Sequence, residues 1–167
     1  MAFSIRYKCK LLYKIKLNEI FGRTQKSHFF IKGENVLKVT CGTDIIEVNR
    51  IQGSIENLGD KFLNKIFTKK EIEYCESKNV MKYQHFAARF AAKEAIFKAI
   101  SELLENKHEI TWTDVEIIND NNGKPRVYFI NKDYSNIKQI DISMSHLKEY
   151  AIANCVIISK DLDENNV

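Results

Sequence analysis

One segment, residues 86–100, combines a strongly helix-forming composition with apolar side chains at helical spacing. It contains no Gly or Pro and few β-branched residues, and it is rich in alanine, which is the best helix former. The apolar positions that would share one face of this helix are Phe86, Phe90, Ile96, Phe97 and Ile100. The pattern therefore predicts a long helix from about Lys82 to Leu104 or Glu105.

Upstream of this helix, the pattern predicts a short strand and further helical segments. Residues 36–41 form an apolar run that we expect to be a strand ending at Gly42. Residues 45–58 fit either a strand or a helix. Residues 60–78 have helical spacing with a break near Thr68, which together with Glu71 three positions later has the pattern of a capping box.

Downstream of the long helix, the pattern changes to that of strands. Residues 111–118 alternate between two faces and are rich in β-branched side chains, so they predict a strand. A strong turn signal follows at residues 120–123, and residues 126–130 are expected to return as the hairpin partner. Two more strands are predicted at residues 140–145 and 150–159. Helices grouped before hairpin-linked strands indicate an α+β domain.

Composition limits the function classes without choosing among them. The chain has 167 residues, a hydrophobic fraction of 44% and a net charge of +4, which fits one domain with a core. The mild positive charge suits a phosphate-rich ligand or an acidic partner, but it is too small to indicate nucleic-acid binding. No apolar run approaches the roughly 20 residues that a membrane span needs. The cysteines lack metal-ligand spacing, and we expect reduced thiols, buried in the apolar runs that contain Cys41 and Cys155.

Residues 1–36 differ from the rest because they are strongly basic, with Glu19 and Glu34 as their acidic residues. Two interpretations stay open: an organelle transit segment, or a disordered or family-specific tail or a mis-called start site. The predicted organisation is a basic extension at 1–36, a domain at 37–160 and a tail at 161–167.

Two acidic residues that are distant in sequence suggest a metal site. Asp44 follows Gly42 at the end of an apolar run, and Glu94 lies on the alanine-rich helix. Two carboxylates are what Mg²⁺ needs when a substrate's phosphates supply other ligands. Each residue also has an ordinary structural interpretation, Asp44 in a turn and Glu94 in an ion pair with Lys98 four positions later.

Four ordered blocks resemble the holo-acyl-carrier-protein synthase group of the 4′-phosphopantetheinyl transferases. They are Gly-Thr-Asp-Ile-Ile-Glu at 42–47, Arg-Phe-Ala-Ala-Lys-Glu-Ala-Ile-Phe-Lys at 89–98, Gly-Lys-Pro-Arg at 123–126 and Ile-Ser-Met-Ser-His-Leu-Lys-Glu-Tyr-Ala at 142–151. The resemblance extends from about Val39 to Ile158. With this resemblance, the expected location is cytoplasmic or, if the basic extension is a transit segment, a plastid-type organelle such as an apicoplast. It implies the family's fold, with the long helix packed on an antiparallel sheet, and usually a homotrimer with coenzyme A between subunits.

The resemblance also implies an activity and its residues. Members of this family move phosphopantetheine from coenzyme A to a serine of apo-acyl carrier protein, for fatty acid biosynthesis, and release 3′,5′-ADP. By this resemblance Asp44 and Glu94 hold Mg²⁺, Lys98 contacts the reacting phosphate, and Arg50 contacts the carrier. The other residues expected to contact coenzyme A are Arg89, Lys93, Gly123, Lys124, Pro125 and His146. The proton acceptor is left open between a water on the metal and Glu94.

One departure from the family pattern bears on the nucleotide end of coenzyme A. Family members usually have a Gly-rich segment after the long helix, whereas residues 101–108 here contain no Gly and include Glu102 and Glu105. Either the helix is longer or the nucleotide is held differently. The alternative functions are a non-catalytic module that binds coenzyme A or acyl carrier protein, and an unrelated basic adaptor.

Overall fold

The computed structural model describes residues 28–29, 37–104, 110–131 and 133–160. Most of the predicted extension and the whole predicted tail lie outside the described residues. The strands are β1 (His28–Phe29), β2 (Leu37–Glu47), β3 (Val115–Asn119), β4 (Pro125–Phe129), β5 (Ile137–His146) and β6 (Tyr150–Lys160). The α-helices are α1 (Val48–Leu58), α2 (Asp60–Ile66), α3 (Lys69–Glu76) and α4 (Lys82–Ile100).

The long helix α4 packs on one face of a four-stranded antiparallel sheet in the order β1-β2-β6-β5, and β3 and β4 form a separate hairpin. Helix α4 also contacts α1 and α3, so it lies at the centre of the molecule. This confirms the predicted α+β class, with an alanine-rich helix on an antiparallel sheet.

Small side chains let α4 and the sheet approach closely. Ala91, Ala95 and Ala99 of the helix are fully buried, and Ala151 and Ala153 are buried on β6. Larger side chains at these positions would separate the two layers. Helix α4 is consequently buried around most of its circumference, rather than along the single apolar face that its spacing predicts.

Two predicted boundaries, in β2 and at the end of α4, change, and one prediction is confirmed. Strand β2 continues through Gly42 to Glu47, so the glycine lies inside the strand rather than at its end. Helix α4 ends at Ile100, earlier than predicted, and the chain turns at once. The capping box at Thr68 and Glu71 is present.

The predicted strand over residues 111–118 begins later, at Val115. The residues before it form a 3₁₀ turn, Trp112–Asp114, because the Asp114 carboxylate accepts hydrogen bonds from the backbone N–H and hydroxyl of Thr111. Local side-chain to backbone bonding of this kind competes with strand pairing.

Of the cysteines that the structure describes, Cys75 and Cys155 are buried, and burial raises the pKa of each thiol to about 12. Cys41 is exposed, so the prediction that it is buried is wrong. Its side chain lies on the face of the sheet opposite α4, because strand side chains alternate between faces. In the described ranges, no helix is long and apolar enough to cross a membrane.

Candidate metal and phosphate site

Gly42 brings β2 against the backbone of α4. A Cβ atom at this position would collide with the carbonyl oxygen of Ala95 and would lie 2.8 Å from Ala99 N and 2.9 Å from Lys98 Cβ. Only a glycine fits between this strand and this helix. Because strand side chains alternate, Asp44, two residues further along β2, points toward the same helix.

Lys98 of α4 reaches back to this part of β2. Its ammonium donates hydrogen bonds to Asp44 Oδ1 and to the backbone oxygen of Thr43, each at 2.8 Å. The Lys98 side chain is 49% exposed and that of Asp44 is 16% exposed. The ion pair foreseen between Glu94 and Lys98 is not formed, since the lysine binds Asp44 instead.

Glu94 lies one turn before Lys98 on α4 and is half-buried. Burial raises the pKa of its carboxyl group, the nearby Asp44 charge raises it further, and Lys98 lowers it. Among the described residues, Glu94 accepts no hydrogen bond and forms no ion pair. A half-buried carboxylate without a donor, beside a second carboxylate, is electrostatically unfavourable unless a cation joins it.

This pair has the ligand chemistry of a magnesium site that relies on substrate. No group of three or more His, Cys, Asp or Glu within the described ranges is arranged to hold a metal ion. Two carboxylates are nevertheless enough for Mg²⁺ when phosphates and water complete its coordination. The residues present therefore fit Mg²⁺ held jointly by the protein and a phosphate ligand.

Arg89 was expected to contact coenzyme A, but it is only 1% exposed. Its Nη2 donates to Asn119 Oδ1 at 3.0 Å, and the guanidinium lies 4.0 Å from the centre of the Tyr74 ring. Asn119 in turn donates to the backbone oxygen of Gly123 at 2.9 Å. Arg89 thus connects α4 to the hairpin turn, rather than presenting its charge to solvent.

Lys93 is fully buried and points away from the carboxylate pair. Its ammonium lies 2.7 Å from Glu71 Oε2 and donates to the backbone oxygens of Ile66, Trp112 and Val115 at 2.7–2.8 Å. An ammonium has three donors, and all are engaged here. This geometry gives no support to the predicted contact between Lys93 and coenzyme A.

The predicted turn at 120–123 is present and links β3 to β4. Gly123 has a φ of +80°, a conformation that favours glycine. The Asp120 carboxylate accepts from the backbone N–H groups of Asn122 and Lys124 and from Arg126 Nε. The turn is therefore rigid, with Lys124 exposed and 3.1 Å from Asp141, and with Pro125 as the first residue of β4.

His146 ends β5 and is half-buried against another histidine. Its ring centre lies 5.0 Å from that of His85 on α4, and His85 contacts Tyr74 at 5.6 Å. Burial, followed by the effects of His146, Arg89 and Lys78, lowers the pKa of His85 to about 4. His85 precedes Glu94 by nine residues, about 13 Å along a helix, so the histidines and the carboxylates form two separate clusters in one chain.

Two further predictions concern charge near the site. Arg50 is exposed on α1, and Lys61 and Lys65 are exposed on α2, so these side chains are accessible to a partner. Glu102, which was expected to repel phosphate, instead lies 3.4 Å from Lys38 of β2. Its charge is therefore partly compensated within the chain.

Three groups were not predicted from the sequence: His85, Asn119 and the backbone oxygen of Thr43. Each is identified only through a partner from another element, namely His146, Arg89 and Lys98. The one signal available in the sequence was that His85 precedes Arg89 by four residues, which places both on the same face of a helix. This spacing does not identify the residue of another element that His85 contacts.

Comparison with known proteins identifies the family of the chain. The family model described as the 4′-phosphopantetheinyl transferase superfamily matches residues 40–155. The holo-[acyl-carrier-protein] synthase of Ruminiclostridium cellulolyticum is 43% identical over 136 residues, which cover 78% of this chain and 100% of that protein.

The solved structures that resemble this chain belong to the same group of proteins. The crystal structure of a Bacillus anthracis holo-(acyl-carrier-protein) synthase in complex with CoA is similar at a TM-score of 0.60 and 35% identity, covering 72% of this chain and 96% of that one. The Plasmodium yoelii holo-ACP-synthase is similar at a TM-score of 0.61 and 30% identity, covering 75% and 98% respectively. The chain is an enzyme of the holo-[acyl-carrier-protein] synthase group and belongs to the 4′-phosphopantetheinyl transferase superfamily.

Proposed function

We propose that this enzyme transfers 4′-phosphopantetheine from coenzyme A to a serine of an apo-acyl carrier protein, in a Mg²⁺-dependent reaction that releases 3′,5′-ADP. The observation that carries the proposal is the cluster of Asp44, Glu94 and Lys98, in which a carboxylate without a donor lies near an ion pair accessible to solvent. The relatives named above support the choice of substrates, because their printed names include acyl carrier protein and CoA.

Asp44 and Glu94 would hold Mg²⁺ together with the pyrophosphate of coenzyme A. When bound, the ion supplies positive charge that lowers the repulsion between the phosphate and the incoming hydroxyl oxygen and stabilises charge on the leaving group. Burial, and after it the nearby Asp44 charge, raise the pKa of Glu94, and the repulsion between the two carboxylates would be relieved by the same positive charge.

The proposed role of Lys98 is to exchange a hydrogen bond within this cluster for one to the ligand. Two of its donors bind Thr43 and Asp44, and one remains for a phosphate oxygen. Because the pair is partly exposed, its bond to Asp44 contributes little and can be exchanged for a bond to the ligand. Lys98 thereby keeps the carboxylates compensated before substrate binds and stabilises phosphate charge afterwards.

Two other parts of the chain, the hairpin turn and His146, are proposed to contact coenzyme A. The rigid turn of Gly123, Lys124 and Pro125 offers one exposed ammonium, that of Lys124. His146 offers a half-buried ring beside His85. Because the histidines lie about 13 Å along α4 from Glu94, a ligand that contacts both would have to be extended, as coenzyme A is.

The carrier is proposed to dock beside α1, where Arg50 is exposed, with Lys61 and Lys65 on the following helix. Acyl carrier proteins are acidic, so this basic surface would speed encounter and orient the serine toward the metal. Replacing Arg50 with alanine should raise KM for the carrier and leave kcat nearly unchanged.

A homotrimer is proposed to form through the face of the four-stranded sheet that lies opposite α4. Apolar side chains are exposed there on neighbouring strands, and Ile45 is 62% exposed opposite Ile152 at 38%. Tyr150 and Val156 extend this surface along β6. Exposed apolar patches of this kind mark protein contacts, and light scattering of the purified protein measures the oligomeric state.

A mass-spectrometric assay tests the proposed activity. The protein is mixed with apo-acyl carrier protein, coenzyme A and Mg²⁺, and the carrier is expected to gain the mass of phosphopantetheine. Glu94→Gln and Asp44→Asn should each abolish the gain, whereas Glu73→Gln, which alters an exposed carboxylate on α3, should not. Binding of coenzyme A without transfer by the wild-type protein would instead favour a non-catalytic module.

A further inference from the structure

Lys93 forms a buried polar cluster that the reaction itself does not use. The cluster, here called the Lys93 anchor, consists of Lys93, the Glu71 carboxylate and the backbone oxygens of Ile66, Trp112 and Val115. Both side chains of the ion pair are 0% exposed. The pair is therefore shielded from the screening that weakens surface ion pairs.

The anchor joins segments that are far apart in sequence. The oxygen of Ile66 ends α2, Glu71 belongs to α3, and Trp112 and Val115 lead into β3. Glu71 also accepts from the backbone N–H groups of Thr68 and Ile117, at 2.8 and 2.9 Å. The Lys93 side chain thus holds α2, α3 and the β3–β4 hairpin in fixed positions relative to α4.

The anchor is adjacent in sequence to the metal ligand. Glu94 follows Lys93, and successive residues of an α-helix are separated by 100° of rotation and 1.5 Å of rise. On the opposite side of α4, Gly42 of β2 packs closely against the backbone of Ala95, the residue after Glu94. Glu94 is therefore located between two points at which α4 is fixed, one by directed hydrogen bonds and one by close packing.

Directed bonds fix rotation and axial position more tightly than apolar packing does. An ammonium held by one carboxylate and three carbonyl groups has a single good geometry, whereas the alanines of α4 present similar surfaces after small shifts. A small rotation or shift of α4 would change the separation of Glu94 from Asp44, which lies on a different element. Metal ligation tolerates little error of this kind.

We infer that Lys93, with Glu71, is a positioning residue that sets the separation of the two metal-binding carboxylates. The inference rests on the proposed function, because it assigns Mg²⁺ to Asp44 and Glu94. Lys93 acts through the helix backbone and does not touch the ligand. Its removal should weaken metal binding even in protein that stays folded.

The test uses the double variant Glu71→Gln with Lys93→Met, which removes both charges and leaves no unpaired charge in the core. The probe is Mn²⁺ with coenzyme A, and the free-ion signal in electron paramagnetic resonance gives the dissociation constant of Mn²⁺. We expect this constant to rise about 10-fold or more, as for loss of groups that orient metal ligands. Measurements are made well below the melting temperature, with circular dichroism confirming the fold.

Lys70→Met is the matched control, because the Lys70 side chain is 71% exposed and its ion pair, with Glu116, involves no residue of α4. It should leave the Mn²⁺ dissociation constant unchanged. A folded double variant with wild-type affinity would overturn the inference, and so would a double variant that fails to fold, since the pair would then serve folding alone. Wild-type protein that neither binds Mn²⁺ with coenzyme A nor modifies the carrier would refute the proposed function instead.

Discussion

Helix α4 carries two lysines that each bind a carboxylate at nearly the same distance, 2.7 Å for Lys93 and Glu71 and 2.8 Å for Lys98 and Asp44. Their surroundings differ. The first pair is fully buried, whereas the Lys98 side chain is 49% exposed. Both lysines were expected to bind phosphate, yet only Lys98 has a donor and an opening to do so.

Burial, rather than charge or sequence position, therefore distinguishes a cation that is committed to the fold from one that is accessible to a ligand. A buried pair loses several kcal/mol when one partner is removed, because the other charge is left uncompensated. An exposed pair contributes about 0–1 kcal/mol, so its partner can be exchanged at little cost.

The stability effects of the two lysines should differ strongly. Lys93→Met should lower the free energy of unfolding by about 3–5 kcal/mol, because it leaves Glu71 charged in the core. Lys98→Met should lower it by less than about 1 kcal/mol. Urea denaturation measures both values, and equal losses would show that burial does not distinguish the pairs.

The catalytic effect should be specific to the exposed lysine. Lys98→Met should lower kcat about 10²- to 10³-fold with an unchanged melting temperature, since it removes a cation expected to stabilise phosphate charge. Steady-state transfer to apo-acyl carrier protein measures this loss, and Lys70→Met serves as the control. If the Lys98 variant kept the wild-type kcat, the pair of Lys98 and Asp44 would be an ordinary surface ion pair without a role in transfer.

The Lys98 pair depends on the close approach of β2 and α4, which Gly42 permits. Gly42→Ala should destabilise the protein by about 1–3 kcal/mol or more, because the new methyl group meets helix backbone. Gly53→Ala, in the middle of α1 with open space around it, should instead stabilise by about 0.5–1 kcal/mol. Thermal denaturation compares the two, and a Gly42 variant as stable as the Gly53 variant would contradict the packing argument.

His85, also on α4, gives the smallest expected effect and extends the comparison to pH. Its folded-state pKa of about 4 lies below the ordinary 6.5, so the unfolded chain binds more protons between these values. Stability from neutral His85 is present above pH 6.5 and is lost as the pH falls toward 4. The nearby cations Lys78 and Arg89 and the His146 ring act in the same direction as burial.

His85→Phe should remove this part of the pH dependence. Between pH 7 and pH 5, wild-type protein should lose about 1 kcal/mol more unfolding free energy than the variant, after allowance for partial exposure. Urea titrations at both pH values provide the measurement. Parallel curves for the two proteins would mean that the histidine titrates normally.

The sequence by itself determined the α+β class, the long alanine-rich helix, the capping box at Thr68 and the family. Each depends on residues near one another in the chain or on motifs in a fixed order. Asp44, Glu94 and Lys98 were also selected from sequence, because the blocks that contain them are specific. The hairpin turn was predicted for a similar reason, since Gly123 carries a local conformational signal.

Only the tertiary structure decided which basic residues are buried and which stay accessible. Lys93 and Arg89 have the charge and spacing of phosphate ligands, but their partners, Glu71 and Asn119, come from other elements and bury them. Gly42 likewise resembled the end of a strand, and its role became visible only when α4 lay against it. Helical spacing defines directions around one axis, whereas burial depends on which elements pack on each side of that axis.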